Sequence, residues 1–126
     1  MELNEYQKLA MRTDSNHKDY RDRLLNGLMG LNGEAGEAID VLKKHLYQGH
    51  EFDEDKMVEE IGDVLWYCAL CADALGYSLE FVATYNIEKL RKRYPEGFTA
   101  EDSIERRDHG PDGEPELQEM RDKPRP

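Results

Sequence analysis

Apolar residues recur every three or four positions over residues 20–47, at Leu24, Leu28, Leu31, Ala35, Ala38, Leu42 and Leu46. A second stripe follows almost at once, through Met57, Ile61, Val64, Leu65, Cys68, Cys71, Ala72 and Leu75. That period gathers the residues on one face of a helix. With so short a break at residues 50–55, the second helix has to turn back against the first. Gly49 is placed to close the first helix, Asp53 or Asp55 to cap the second, and Gly76 to end it.

Two shorter helices flank this hairpin. Leu3, Tyr6, Leu9 and Ala10 mark one over residues 3–12, and a polar loop follows at 13–18. The other begins after Ser78, a plausible N-cap, runs through Val82, Ala83, Ile87 and Leu90 to Arg93, and stops before Pro95. The expected fold is all-α, a four-helix-bundle-like protomer of antiparallel helices spanning residues 1–98. Residues 99–126 lose periodicity and mix Pro111, Pro115, Pro124 and Pro126 with glycines and charges, so they read as a polar, flexible tail.

At 126 residues the chain has room for one such domain. Its formal net charge of −11 disfavours a surface that grips nucleic acid or anionic membrane, so no stable partner of either kind is expected. A free nucleotide is different, because divalent cations can bridge it to acidic residues. Cys68 and Cys71 lie on the apolar side of their helix and read as inert buried thiols. No run is long enough to span a bilayer and no secretory pattern is present, which suggests a cytoplasmic protein. His17, His45, His50 and His109 read as surface or capping groups.

One irregularity stands inside the long helix. Gly27, Gly30, Gly33 and Gly36 follow one another at intervals of three, each costing about 0.5–1 kcal/mol relative to alanine. Either another helix approaches closely there or the helix breaks near Gly30.

Beside the stripes lie two pairs of acids. Glu34 and Glu37 are three residues apart, and Glu60 and Asp63 repeat the spacing on the second helix. Packing the hairpin through its stripes brings both pairs to a common rim. Four carboxylates so placed repel one another, and no Lys or Arg lies within either motif. A hard cation, Mg²⁺ or Mn²⁺, answers that need, although acidic pairs on a solvated helix face are also common. On the last helix Asn86, Lys89 and Arg93 form a polar ridge, with Tyr94 next to it; it suits phosphate, while cations near a helix C-terminus also suit the helix dipole.

Together these segments resemble the MazG-like all-α nucleoside triphosphate pyrophosphohydrolases. The likeness rests on GLNGEAGE from Gly30, EEIGDVLWY from Glu59 and NIEKLRKRYPEGF from Asn86, and covers residues 3–98. It implies that Glu34, Glu37, Glu60 and Asp63 bind Mg²⁺ and form the catalytic centre, with Glu37 the favoured proton acceptor. It also implies that a nucleoside or deoxynucleoside triphosphate is cut between its α and β phosphates, giving the monophosphate and pyrophosphate. Asn86, Lys89, Arg93 and Tyr94 become substrate contacts, and Gln7 and Thr13 help close the base pocket. A homodimer or homotetramer is expected, and Val58 and Trp66, off the main stripe, are candidates for the contact. Two other readings stay open: a helical interaction protein without catalysis, and a metal-dependent hydrolase of another phosphorylated compound.

Overall fold

A computed structural model describes residues 1–15 and 19–109; His17, part of the 13–18 loop and residues 110–126 of the expected tail lie outside them. The described residues form an all-α fold with no sheet: α1 (Leu3–Met11), α2 (Tyr20–Gln48), α3 (Glu54–Ala74), α4 (Leu79–Arg93) and α5 (Ala100–Glu105). They divide into two compact units, Met1–Glu80 and Phe81–Pro126.

In the first unit, α2 and α3 pack antiparallel. Gly27 of α2 lies against Cys71 of α3 and Gly30 against Tyr67, so residue numbers rise along one helix as they fall along the other. The helix ends follow local chemistry. Asp19 accepts from the amides of Arg21 and Asp22, and Asp53 accepts from that of Lys56 at 2.8 Å. Gly49 adopts φ +74° and closes α2 as anticipated. The glycine ladder causes no break: α2 is one continuous helix of 29 residues.

α1 is tied to this hairpin by side chains. Gln7 is buried; its amide nitrogen donates to the carbonyls of Ala69 (3.4 Å) and Tyr77 (3.1 Å), and its oxygen accepts from the backbone of Leu79 at 2.7 Å. Asn4 similarly accepts from the amide of Glu80, so α1 caps the start of α4. The Trp66 indole donates to the carbonyl of Ala10 and to the hydroxyl of Thr13 (2.8 Å). Trp66 is thus engaged within the protomer through its indole N–H. Arg23 bridges Asp14 and Asp73, joining the loop after α1 to both long helices.

The core these contacts enclose is small: Ala10, Ala69, Ala72 and Leu79, with Leu70 fully buried nearby. Much of the expected stripe stays open. Leu28 and Leu46 on α2 and Ile61 and Leu65 on α3 are exposed, as are Leu25, Met29, Ile39 and Val58. Cys68 and Cys71 are free and half-buried, and burial pushes both thiols up from their ordinary pKa.

The second unit carries a helix the sequence did not announce. Thr99 caps α5 by accepting from the amide of Asp102 at 3.0 Å, so helical structure continues beyond the Phe98 boundary drawn from periodicity. Asp102 is buried and pairs with Arg107 at 3.0 Å.

Candidate metal centre

The antiparallel register that seats Gly30 on Tyr67 carries Glu34 of α2 to the level of Glu60 and Asp63 of α3. One carboxylate oxygen from each of these three lies within 4.8 Å of the others. Glu60 is buried, Glu34 half-buried and Asp63 exposed, so the group forms a rim with one dry wall and one open side. Glu37, the fourth acid of the expected set, lies outside this triad. It faces an adjoining polar cleft of about 300 Å³ lined also by Asp40, Lys44, His50, Lys56 and Glu60.

The charges behave as crowded carboxylates do. The Glu34 carboxyl is raised from its ordinary pKa by desolvation first, then by Asp63, Glu60 and Glu37. Tyr6 of α1 is raised by burial and, next, by the charge of Asp63, which places its phenol near the same rim. One counter-charge escaped the sequence reading. Lys56, a turn before Glu60 and just outside the motif, pairs with Glu60 at 2.9 Å and with Glu59 at 3.0 Å. Its four-residue offset from Glu60 was the available signal.

The donor set fits a hard divalent cation. It is all carboxylate oxygen, drawn from two helices, with one buried member and an open side for retained waters, as Mg²⁺ or Mn²⁺ prefers. No cysteine or histidine joins the triad.

The remaining sequence candidates fall elsewhere. Gln7 and Thr13 spend their polar groups inside the fold: the Gln7 amide as described, the Thr13 hydroxyl on the carbonyl of Ala10 (2.7 Å) and on Trp66. Asn86, Lys89 and Arg93 share a side of α4, in the second unit, and Tyr94 follows. Lys89 makes no ion pair or hydrogen bond with any described residue, whereas Arg93 is held by Asp108, a partner the sequence reading missed. His45 bonds the carbonyl of His50 at 2.9 Å, the capping role anticipated for it.

An all-α protein with a carboxylate rim able to hold a hard cation is thereby defined. The profile of the MazG nucleotide pyrophosphohydrolase domain matches residues 24–98, more than half of the chain, and the chain belongs to that family. It is similar to the Gene 37 protein of Mycobacterium phage L5, 38% identical over 73 residues that make up 55% of this chain and 64% of the relative. The chain thus spans less than two thirds of that relative's length. No solved structure matches it. Among the described residues, no helix is long and apolar enough to cross a membrane.

Proposed function

We propose that the protein hydrolyses a nucleoside or deoxynucleoside triphosphate between its α and β phosphates, releasing the monophosphate and pyrophosphate. The observation that carries this reading is the convergence of Glu34, Glu60 and Asp63 oxygens within 4.8 Å, in a chain whose family is named for nucleotide pyrophosphohydrolysis. Glu34, Glu60 and Asp63 hold Mg²⁺, with Mn²⁺ as the substitute and Glu37 completing the set. When bound, the cation supplies charge screening for the polyphosphate and stabilises the negative charge that develops on the leaving pyrophosphate.

Residues of the chain do the rest. Glu37, one turn beyond the triad and facing the polar cleft, accepts the proton of the attacking water. Lys56 pairs with Glu60 at 2.9 Å and orients it, while the dry wall excludes water. Asn86, Lys89 and Arg93 contact phosphate oxygens, with Tyr94 beside them. Gln7 and Thr13 act on the nucleotide site through the placement of α1, since their polar groups are engaged within the fold.

The working form is a homodimer or homotetramer. Exposed Leu25, Leu28, Met29 and Ile39 on α2 and Ile61 and Leu65 on α3 make a larger open apolar surface than a lone small protomer tolerates. An apolar groove of about 430 Å³ along Gly36, Ile39, Leu42 and Leu46 continues it. A second copy covers this face.

The test is incubation of purified protein with Mg²⁺ and a panel of ribo- and deoxynucleoside triphosphates, with nucleoside diphosphates and a phosphoribosyl compound included. Monophosphate and pyrophosphate in equal amounts are expected from at least one triphosphate. Turnover of only the other compounds would transfer the chemistry to a different phosphorylated substrate, and no Mg²⁺-dependent turnover at all would sink it.

A further inference from the structure

In the second unit Asp108 is fully buried, and its two oxygens take the Nε and Nη2 groups of Arg93 at 2.6 Å each. This is the planar two-bond fit of carboxylate to guanidinium, and it is formed across fifteen residues of sequence. Arg93 holds Asp108 well below the usual carboxylate range, to about 2. The surrounding chain is arranged around the pair. The Tyr94 ring lies 5.7 Å from the guanidinium and packs against Phe98, while Arg106 adopts φ +52°, an uncommon conformation for a residue with a side chain, two positions before Asp108.

Two roles suit such a pair. As a plug, Asp108 would mimic a phosphate and be displaced when substrate arrives. As a fixed support, it would stay on the guanidinium beside the hydrogen bond that Arg93 also makes to the Tyr94 side chain, and leave the remaining N–H groups to a ligand. Burial decides between them. A carboxylate with no exposed surface, left with only Arg106 at 3.8 Å and His109 at 3.4 Å in place of its two 2.6 Å bonds, costs more than a single charged hydrogen bond to phosphate returns. Arg93 therefore keeps its bond to Asp108, and only the N–H groups that Asp108 and Tyr94 leave over are available.

We propose that Asp108 is a positioning residue: it locks Arg93 so that the remaining N–H groups of the guanidinium meet a phosphate of the triphosphate. This rests on the reading of Arg93 as a phosphate contact given above. It gives α5 and the turn after it a function, that of carrying Asp108 back to the end of α4. It also separates the two cations of the ridge, Lys89 adjusting freely among the described residues and Arg93 held at one angle.

Steady-state kinetics on Asp108→Asn, Arg93→Ala and the double variant test it in the full-length chain. Asp108→Asn is expected to raise KM for the triphosphate roughly tenfold with kcat within about twofold. The double variant should match Arg93→Ala alone. Wild-type KM in Arg93→Ala would overturn both the phosphate contact and the support. An impaired Arg93→Ala beside a wild-type KM in folded Asp108→Asn would overturn the support only, as would a lowered KM, the mark of a plug. A measurement on the unaltered protein guards against a variant that does not fold. With Mg²⁺ and a triphosphate bridged by methylene between α and β phosphorus, the Arg93 Nε proton should stay as protected from solvent exchange, by NMR, as in the free protein. Its loss of protection at saturation would overturn the proposal.

Discussion

The two halves of the α2–α3 hairpin carry the same glycine spacing and use it in opposite ways. In the half nearer the start of α2, a Cβ on Gly27 would lie 2.6 Å from the Cys71 sulfur, and one on Gly30 would overlap the Tyr67 ring. Absence of a side chain there lets the helices approach, and the lost helix propensity is offset by contact. In the other half, Gly33, Gly36 and Gly62 of α3 face open space within the protomer, and these are the neighbours of Glu34, Glu37 and Asp63. No contact with a described residue offsets their cost. The packed half holds the hairpin together, and the acidic half gives up stability around its carboxylates.

The largest effect should come from the acidic half, in activity alone. Glu60→Gln keeps the shape of the buried side chain, removes its charge and is expected to lower Mg²⁺-dependent hydrolysis at least about 100-fold. Its metal-free thermal midpoint should change little, because relief of the crowded charges offsets the lost pair with Lys56. A fall in midpoint to match the loss of activity would mean that this half supports the fold after all.

Gly30→Ala tests the packed half. The Tyr67 ring is backed edge-on by Trp66, with centroids 5.0 Å apart, so it has no easy retreat from a new methyl group. A loss of about 1–3 kcal/mol in denaturant unfolding is expected, the usual cost of overpacking. An unchanged midpoint would show that α2 and α3 are less closely seated than the register requires.

Gly33→Ala should do the reverse, and by less. With nothing against it in the protomer, the added methyl group is expected to stabilise the helix by about 0.5–1 kcal/mol in dilute solution. If Gly36→Ala instead weakens self-association measured by sedimentation, the open half is where the second copy approaches, and its glycines are explained by that contact.

These contrasts mark what the sequence could disclose. Helix positions were legible because their causes are local: the stripes repeat along one helix, and Asp53 and Gly49 act on amides and carbonyls a turn away. The pairing of Glu34 with Glu60 and Asp63 was legible too, since a short loop leaves an antiparallel hairpin little choice of register. Contacts between distant positions left no such trace. Gln7 was read as helping to close a base pocket, yet it caps α4 at Leu79, 72 residues on. Asp108 sits among charges that suggested a solvated tail, and α5 is too short for any period to show. Thr99, three before Asp102, was a usable N-cap signal for it. The open halves of both stripes were read as core because periodicity records which face is apolar, not what covers it.

The smallest expected effect is a pH response that differs in sign between two acids of α2. Glu34 is raised by desolvation and by its acidic neighbours, so in metal-free protein the folded state takes up a proton before the unfolded chain does. Its contribution to stability accordingly grows as pH falls from neutrality toward its ordinary value of 4.5. Asp40 behaves oppositely. Lys43, foremost, and Lys44 hold it down to about 2, and its stabilising contribution is complete above 3.8 and lost as pH falls toward 2. The metal-free thermal midpoint is therefore expected to creep upward on mild acidification and to drop below pH 4. Excess Mg²⁺ should abolish the first trend, because a bound cation favours the ionised form that protonation removes. Glu34→Gln should abolish it without metal, leaving the acid-side drop intact. A rise that survives this substitution would locate the strained carboxylate elsewhere and remove the electrostatic part of the contrast between the two halves.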